Sequence, residues 1–99
     1  MPDLTHNIMR DGSRCFLSLQ PNADWYAVRD HVSRLAGAEL TNFVTDGITE
    51  AWVDFRYQDH YFSINDAPGD YWFFVKDPTC ADTILRTVAS HFAALLEPG

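Results

Sequence analysis

Cys80 is the residue whose type and position come closest to those of a catalytic nucleophile. It lies in the segment predicted to form the first turn of the C-terminal helix, where free N–H groups and the helix dipole stabilise a thiolate. Nucleophilic catalysis also needs a base beside the thiol, and no motif supplies one. A small buried apolar side chain is therefore the favoured interpretation of Cys80, and no catalytic residue is assigned.

The second cysteine, Cys15, falls on the apolar side of a predicted strand and is interpreted as a core residue. Cys15 and Cys80 occur in no CxxC spacing, which is typical of reduced thiols in an intracellular protein. A bridge between them stays open as an alternative, because the sequence does not give the distance between the two side chains.

The histidines and carboxylates form no metal-binding or acid–base motif. Four histidines are scattered along the chain without HxxxH spacing: His6, His31, His60 and His91. Many aspartates stand at the ends of predicted elements, where the carboxylate caps a helix or closes a turn: Asp24, Asp46, Asp59, Asp66, Asp70, Asp77 and Asp82. We therefore expect neither a metal site nor a cofactor.

Composition narrows the classes of partner. The chain has 7 Lys and Arg against 14 Asp and Glu, a net charge of -7, whereas binding to a nucleic-acid backbone needs clustered cations. It contains no GxSxG, P-loop or GxGxxG motif, so nucleotide-binding and α/β-hydrolase interpretations have no support. No apolar stretch approaches the roughly 20 residues that span a bilayer, and residues 1–14 lack the apolar run that is typical of a signal peptide. We expect a cytoplasmic protein without nucleic-acid or membrane partners.

The length and the pattern of apolar residues predict one globular domain over residues 1–99. Residues 14–20 alternate like a strand, with Phe16 and Ser18 opposite Cys15, Leu17 and Leu19. A tight turn at residues 11–12 could pair this strand with the segment before it. A helix capped by Asn22 or Asp24 and ended by Gly37 follows, and a short strand is expected around residues 40–44.

Residues 49–76 carry the strongest pattern, which predicts a three-stranded antiparallel meander. With residues 59–60 as the first turn, Tyr57 would pair with Phe62 and Phe55 with Ile64 on the apolar face. The third strand, at residues 71–76, is apolar on both sides.

A last helix is predicted from the residues after Asp77-Pro78-Thr79, with Thr79 and Asp82 as a partial capping box. The expected fold is α+β and two-layer: a mainly antiparallel sheet, made of the meander and an N-terminal strand, with two amphipathic helices on one face.

One surface goes beyond ordinary globular patterning. The polar side of the hairpin carries large aromatic residues and an arginine, which are enriched at the centres of protein interfaces. The third strand adds either Trp72, Phe74 and Lys76 or Tyr71, Phe73 and Val75 to this outer face. The predicted binding residues are Trp52, Asp54, Arg56, Tyr61 and Trp72.

Three functional hypotheses follow. The leading one is a small acidic, non-enzymatic binding module of the inhibitor, immunity or adaptor type, whose partner is another protein or its own copy. The second is a small enzyme or ligand-binding domain that uses Cys80 or a carboxylate in a cleft between helices and sheet. The third is a structural subunit that buries its aromatic face against a second copy. The sequence alone does not identify the partner.

Overall fold

A computed structural model describes residues 3–45, 51–66 and 69–97 of the chain, and within these residues the fold is α+β. A six-stranded antiparallel sheet has the strand order β1-β2-β6-β5-β4-β3 and is accompanied by two helices. In chain order the elements are β1 (Asn7–Ile8), β2 (Arg14–Leu19), α1 (Trp25–Val32), β3 (Glu39–Thr45), β4 (Ala51–Tyr57), β5 (His60–Asn65), β6 (Tyr71–Val75) and α2 (Asp82–Leu96).

Strands β4, β5 and β6 form the predicted meander, although residues 49–50 of the predicted range lie outside the described residues. The alternation of apolar and polar residues along its strands predicts that one side of the hairpin is buried. Val53, Phe55 and Ile64 are no more than 1% exposed, which confirms that this side of the hairpin is buried. The short strand expected around residues 40–44 is β3, and it pairs with β4.

The predicted register of the β4–β5 hairpin is wrong by two residues. Tyr57 pairs with His60 and Phe55 with Phe62, so the two-residue turn is Gln58-Asp59 and not Asp59-His60. Both turn residues have positive φ, 52° and 63°, as the turns that match the right-handed twist of a hairpin require. A shift of two keeps every side chain on its predicted face, because side chains alternate with a period of two.

Strand β2 departs from simple alternation. The register against β6 shifts between Cys15, which pairs with Phe74, and Leu17, which pairs with Phe73. Such a β-bulge inserts an extra residue, here Phe16. Phe16 therefore joins Leu17 in the core, where its ring packs edge-on against Phe62, with ring centroids 5.9 Å apart. The prediction that Phe16 and Leu17 lie on opposite sides of the strand is corrected by this bulge.

The two helices begin differently. Asp24 caps α1 as predicted, accepting a hydrogen bond from the Ala27 N–H at 2.9 Å. Helix α2 begins at Asp82 after Ala81, which makes no side-chain capping hydrogen bond. The preceding Asp77 carboxylate accepts hydrogen bonds from the N–H and hydroxyl of Thr79 in a local turn, so the predicted Thr79–Asp82 capping box does not form.

A single cluster of buried side chains unites the helices with alternate residues of the strands. It contains Val28 and Val32 from α1 and Leu85, Val88, Ala89, Phe92 and Leu96 from α2. Phe92 is its centre, with ring contacts to Phe55 at 5.7 Å and to Phe73 at 5.2 Å between centroids. Leu96 is the fully buried residue at the C-terminal end of α2.

Candidate functional site

The residues that alternate with the buried strand positions form the opposite side of the sheet, called the outer face below. Directly paired residues of an antiparallel sheet share one face, so the register defines the rows that cross it. The first row runs from β3 to β2 through Val44, Trp52, Asn65, Trp72 and Ser18. The second row contains Asn42, Asp54, Ser63, Phe74 and Cys15, and the third begins with Glu39, Arg56 and Tyr61.

All five predicted binding residues lie on this face. Trp52 and Trp72 both pair with Asn65, from opposite sides, so the two indoles stand two strands apart in one row. With strands about 4.8 Å apart, their backbones are separated by about 10 Å. Both side chains are half-buried, whereas Tyr61 is 52% exposed. The sequence left the orientation of the third strand open, and the structure places Trp72 and Phe74 outward and Phe73 inward.

Polar groups occupy the middle of the outer face. The Ser63 hydroxyl donates a hydrogen bond of 2.6 Å to the Asp54 carboxylate on the neighbouring strand. The Lys76 ammonium lies 5.9 Å from the centroid of the Tyr61 ring, within the range of a cation–π contact. Between the two Trp residues and Tyr61, the face therefore presents both a carboxylate and an ammonium group.

Arg56 lies at the hairpin end of the outer face. Its guanidinium donates a hydrogen bond to Asp59 at 3.0 Å, and this contact raises the pKa of Arg56. Both side chains are exposed, so the pair contributes little to stability. Exchange of Asp59 for another surface carboxylate would therefore cost Arg56 little.

A shallow concavity of about 430 Å³ opens on the same face. Asp54, Tyr61, Ser63, Phe74 and Lys76 form one part of its lining. Phe62 of β5 and three residues from other segments complete the lining: Asp11, Ser13 and Thr41. Most of these lining residues are polar or charged, and the aromatic ones are Tyr61, Phe62 and Phe74.

The described part of the N-terminal segment extends the sheet at its edge. The Thr5 N–H donates to the Phe16 carbonyl, and the Thr5 carbonyl accepts hydrogen bonds from the Arg14 guanidinium at 2.8 and 3.0 Å. Strand β1 continues this pairing beside β2. The hydrogen bonds of Thr5 and β1 thus run along the edge of the sheet, while Leu4 packs against the core.

Cys80 does not occupy a helix N-terminus, which corrects its predicted position. It precedes the α2 N-cap residue Ala81, and it belongs to the core cluster at 4% exposure. Burial, assisted by the nearby charge of Asp77, raises the pKa of Cys80 above that of a free thiol. A raised pKa decreases the thiolate fraction, so this environment opposes the nucleophile interpretation. Cys15 and Cys80 are both free thiols.

A histidine pair that the sequence did not reveal joins the two helices. The rings of His31 and His91 stack with centroids 3.9 Å apart. Nε2 of each ring lies 2.6 Å from the backbone carbonyl oxygen of the other residue. A carbonyl only accepts, so each Nε2 carries the hydrogen. Their 60-residue separation gives no local spacing signal, and the pair emerges only when α1 and α2 meet.

The described residues contain no group of three His, Cys, Asp or Glu side chains that could hold a metal ion. No helix in the described ranges is long and apolar enough to cross a membrane. Comparisons of the chain with protein-family models, curated proteins and solved structures gave no match.

Proposed function

We propose that the chain is a small acidic protein-binding module whose outer face receives a partner protein with a basic surface. The proposal uses the two-layer arrangement predicted from the sequence, in which both helices cover the other face of the sheet. One buried cluster that contains α1, α2 and the inward strand residues supports that arrangement. The aromatic residues that alternate with this cluster are then the part of the sheet that a partner can reach.

The observation that carries the proposal is the row of Trp52 and Trp72 on either side of Asn65, together with the exposed Tyr61. The solvent-exposed face of an antiparallel sheet normally carries polar residues, which alternate along each strand with the buried apolar ones. Trp and Tyr are also the residues that most often dominate binding energy, because each buries a large area and can donate a hydrogen bond from its polar end.

Charge supports a basic partner. The chain has a net charge of -7, and a field of this sign accelerates encounter with a positively charged surface. On the outer face itself, Glu39 and Asp54 can accept hydrogen bonds from Lys or Arg side chains of the partner, and the concavity beside Asp54 can receive one of them. Arg56 and Lys76 add local positive charge, which would fix the orientation of the partner.

Capture of the partner from the native host, followed by calorimetry with the purified partner, tests the proposal. Trp52→Ala should weaken association by about 2 kcal/mol or more, the loss expected at a hot spot, while the variant stays folded. Ile8→Ala is the matched control. It removes an exposed apolar side chain from β1, where Ile8 pairs with Arg14 and not with any row of aromatic residues. Its affinity should equal that of the unmodified chain.

Salt dependence separates this function from burial of the aromatic face against a second copy. A charge-steered complex should associate more slowly as ionic strength rises, because salt screens the field of the chain. An apolar dimer should not weaken in salt. Unchanged partner affinity in Trp52→Ala would place the binding surface elsewhere, and a salt-independent association rate would remove the argument for a basic partner.

A further inference from the structure

The concavity on the outer face is lined by residues of two degrees of exposure. Asp54, Ser63 and Phe74 are half-buried, whereas Tyr61 and Lys76 are exposed. Asp54 pairs with Ser63 across the sheet, and Ser63 pairs with Phe74. Ser63 of β5 therefore stands between a carboxylate on one neighbouring strand and an aromatic ring on the other.

The row that contains these three residues leaves room above Ser63. Ser63 has the smallest side chain of the row, and both of its neighbours in the row are larger. The backbones of Asp54 and Phe74 lie two strand spacings apart, which is about 10 Å. A flat group can therefore lie over Ser63 with one edge toward the Asp54 carboxylate and one face toward the Phe74 ring.

Asp54 has no cationic partner among the described residues. Its carboxylate accepts a hydrogen bond from the Ser63 hydroxyl at 2.6 Å, whereas a carboxylate has acceptor sites for about four. All seven Lys and Arg residues lie in the described ranges. The ion pairs of these ranges involve other aspartates: Arg14–Asp82, Arg29–Asp30 and Arg56–Asp59. Asp54 is thus a half-buried carboxylate that a cation from outside can still pair with.

The charges that line the concavity also favour a cation. The Asp11 carboxylate accepts hydrogen bonds from the Ser13 hydroxyl at 2.7 Å and the Ser13 N–H at 2.9 Å, and these bonds lower the pKa of Asp11. The lining therefore holds two carboxylates, of Asp11 and Asp54, against the one ammonium of Lys76. That ammonium lies over the Tyr61 ring rather than beside Asp54. Charge complementarity selects a cationic ligand over a phosphate or a carboxylate.

We propose that the concavity binds the guanidinium of an arginine side chain of the partner, an inference that rests on the proposed function. The guanidinium lies over Ser63, donates hydrogen bonds to the Asp54 carboxylate and packs its flat face against the Phe74 ring. Arginine suits this arrangement better than lysine does. Its cation is planar, carries several N–H donors in one plane and stacks on aromatic rings, whereas an ammonium is a compact and strongly hydrated charge.

Titration of the full chain with N-acetyl-arginine amide, followed by nuclear magnetic resonance, tests the assignment without the partner. The resonances of Ser63, Phe74 and Tyr61 should shift together as the probe binds. The citrulline analogue has nearly the same shape but no charge, and it should bind about tenfold or more weakly. The lysine analogue has the same charge without the planar group, and it should bind about threefold or more weakly.

Asp54→Asn tests the carboxylate itself. Asparagine keeps a carbonyl acceptor for the Ser63 hydroxyl, so the variant should fold, and its affinity for the arginine probe should decrease by about tenfold. Asp3→Asn is the matched control, because it removes the same charge from an exposed aspartate outside the lining of the concavity. Its affinity for the probe should equal that of the unmodified chain.

Three results of the titration would overturn the proposal. They are equal binding of the arginine and lysine probes, equal binding of the arginine and citrulline probes, and shifts of resonances elsewhere in the chain without shifts at Ser63 and Phe74. The comparison of the three probes uses the unmodified chain, so it stands even where a variant fails to fold.

The assignment can fail separately from the proposed function. Trp52 lies in the neighbouring row and does not line the concavity, so Trp52→Ala should impair capture of the partner and still bind the arginine probe. Capture that depends on Trp52 but not on Asp54 would leave the proposed function standing and overturn the arginine assignment. Failure to capture any partner would count against the proposed function, and the titration would still decide whether the concavity binds a guanidinium.

Discussion

The two faces of the β4–β6 meander are built from alternate residues of the same strands, yet they serve different ends. On one face Phe55 and Phe73 are 1% exposed and pack against Phe92 of α2. On the other face Trp52 and Trp72 are half-buried, with a hydrogen-bonded Ser63–Asp54 pair in the next row. Both faces are rich in aromatic residues, so hydrophobicity alone does not tell core from surface. What is particular to the buried aromatic residues Phe55 and Phe73 is their contact with a helix residue, Phe92.

Substitution of one residue on each face gives the largest expected contrast. Phe55 stacks on Phe62 with centroids 5.1 Å apart and planes 11° apart, so Phe55→Ala leaves a cavity that rigid neighbours cannot fill. We expect a loss of about 3 to 5 kcal/mol in the free energy of unfolding. The matched outer-face variant, Trp52→Ala, should lose much less, because its half-buried side chain leaves space that water can enter. Urea denaturation measures both.

A loss under about 1 kcal/mol for Phe55→Ala with an intact fold would contradict the burial of this face. Collapse of Trp52→Ala would show that Trp52 is a core residue and that the outer face is not free to bind. Either result would contradict the assignment of one face of the meander to the core and of the other to the surface.

The period-two pattern was enough to assign these faces, and this explains why a register error did no harm to the assignment. Alternation fixes which residues share a side, but the register depends on the turn, and the turn depends on backbone angles. Gln58 adopts a positive φ that is uncommon for a glutamine. The residue types therefore favoured Asp59-His60 as the turn, whereas the turn in the structure is Gln58-Asp59. A shift by two changed the partner of Phe55 and left Phe55 inside.

Two other features could not be predicted from the local sequence. The bulge that turns Phe16 inward is defined only by the pairing of β2 with β6, some 55 residues later in the chain. The start of α2 was misjudged because Asp77 can satisfy either a local turn or a helix cap, and the local turn at Thr79 forms. The predicted site residues do share a face, because their prediction required only the alternation of side chains along each strand.

The contact between the two helices contains a titratable histidine pair, which gives the second contrast. Burial is the main cause that lowers the pKa of His31, and the charges of His91 and Arg34 add to it against the opposing hydrogen bond to the His91 carbonyl. An unfolded histidine titrates near pH 6.5. The unfolded chain therefore binds protons first as pH falls, so the free energy of unfolding should be at its full value above about pH 6.5 and decrease as pH falls toward the folded pKa.

Urea denaturation between about pH 8 and pH 5 measures this dependence, with His31→Gln as the comparison. Glutamine keeps an N–H donor for the His91 carbonyl and does not titrate, so the decrease in stability should be smaller in the variant. Identical pH profiles for the two proteins would show that His31 contributes no proton linkage to stability. The outer-face variant Trp52→Ala should keep the pH dependence of the unmodified chain, because the indole of Trp52 does not titrate.

The smallest expected effect is a difference in reactivity between the two thiols, Cys15 in an outer-face row and Cys80 in the core cluster. Cys80 belongs to the core cluster, whereas Cys15 pairs with Phe74 in an outer-face row and is nevertheless 2% exposed. Burial raises the pKa of both thiols, so at pH 7 both should react with a thiol reagent far more slowly than a free model thiol does. The single-cysteine variants Cys15→Ala and Cys80→Ala separate the two rates.

The ratio of those rates reports how each side of the sheet opens. A buried thiol reacts when the structure around it opens, and edge regions with few apolar contacts open at lower free energy than the core. Cys15 lies beside the two-residue strand β1, so it should be labelled faster than Cys80. Labelling of Cys80 faster than the model thiol would instead reveal a stabilised thiolate and restore the case for a nucleophile. Equal slow rates would mean that β2 opens only when the whole core unfolds, which would make the outer face as rigid as the buried one.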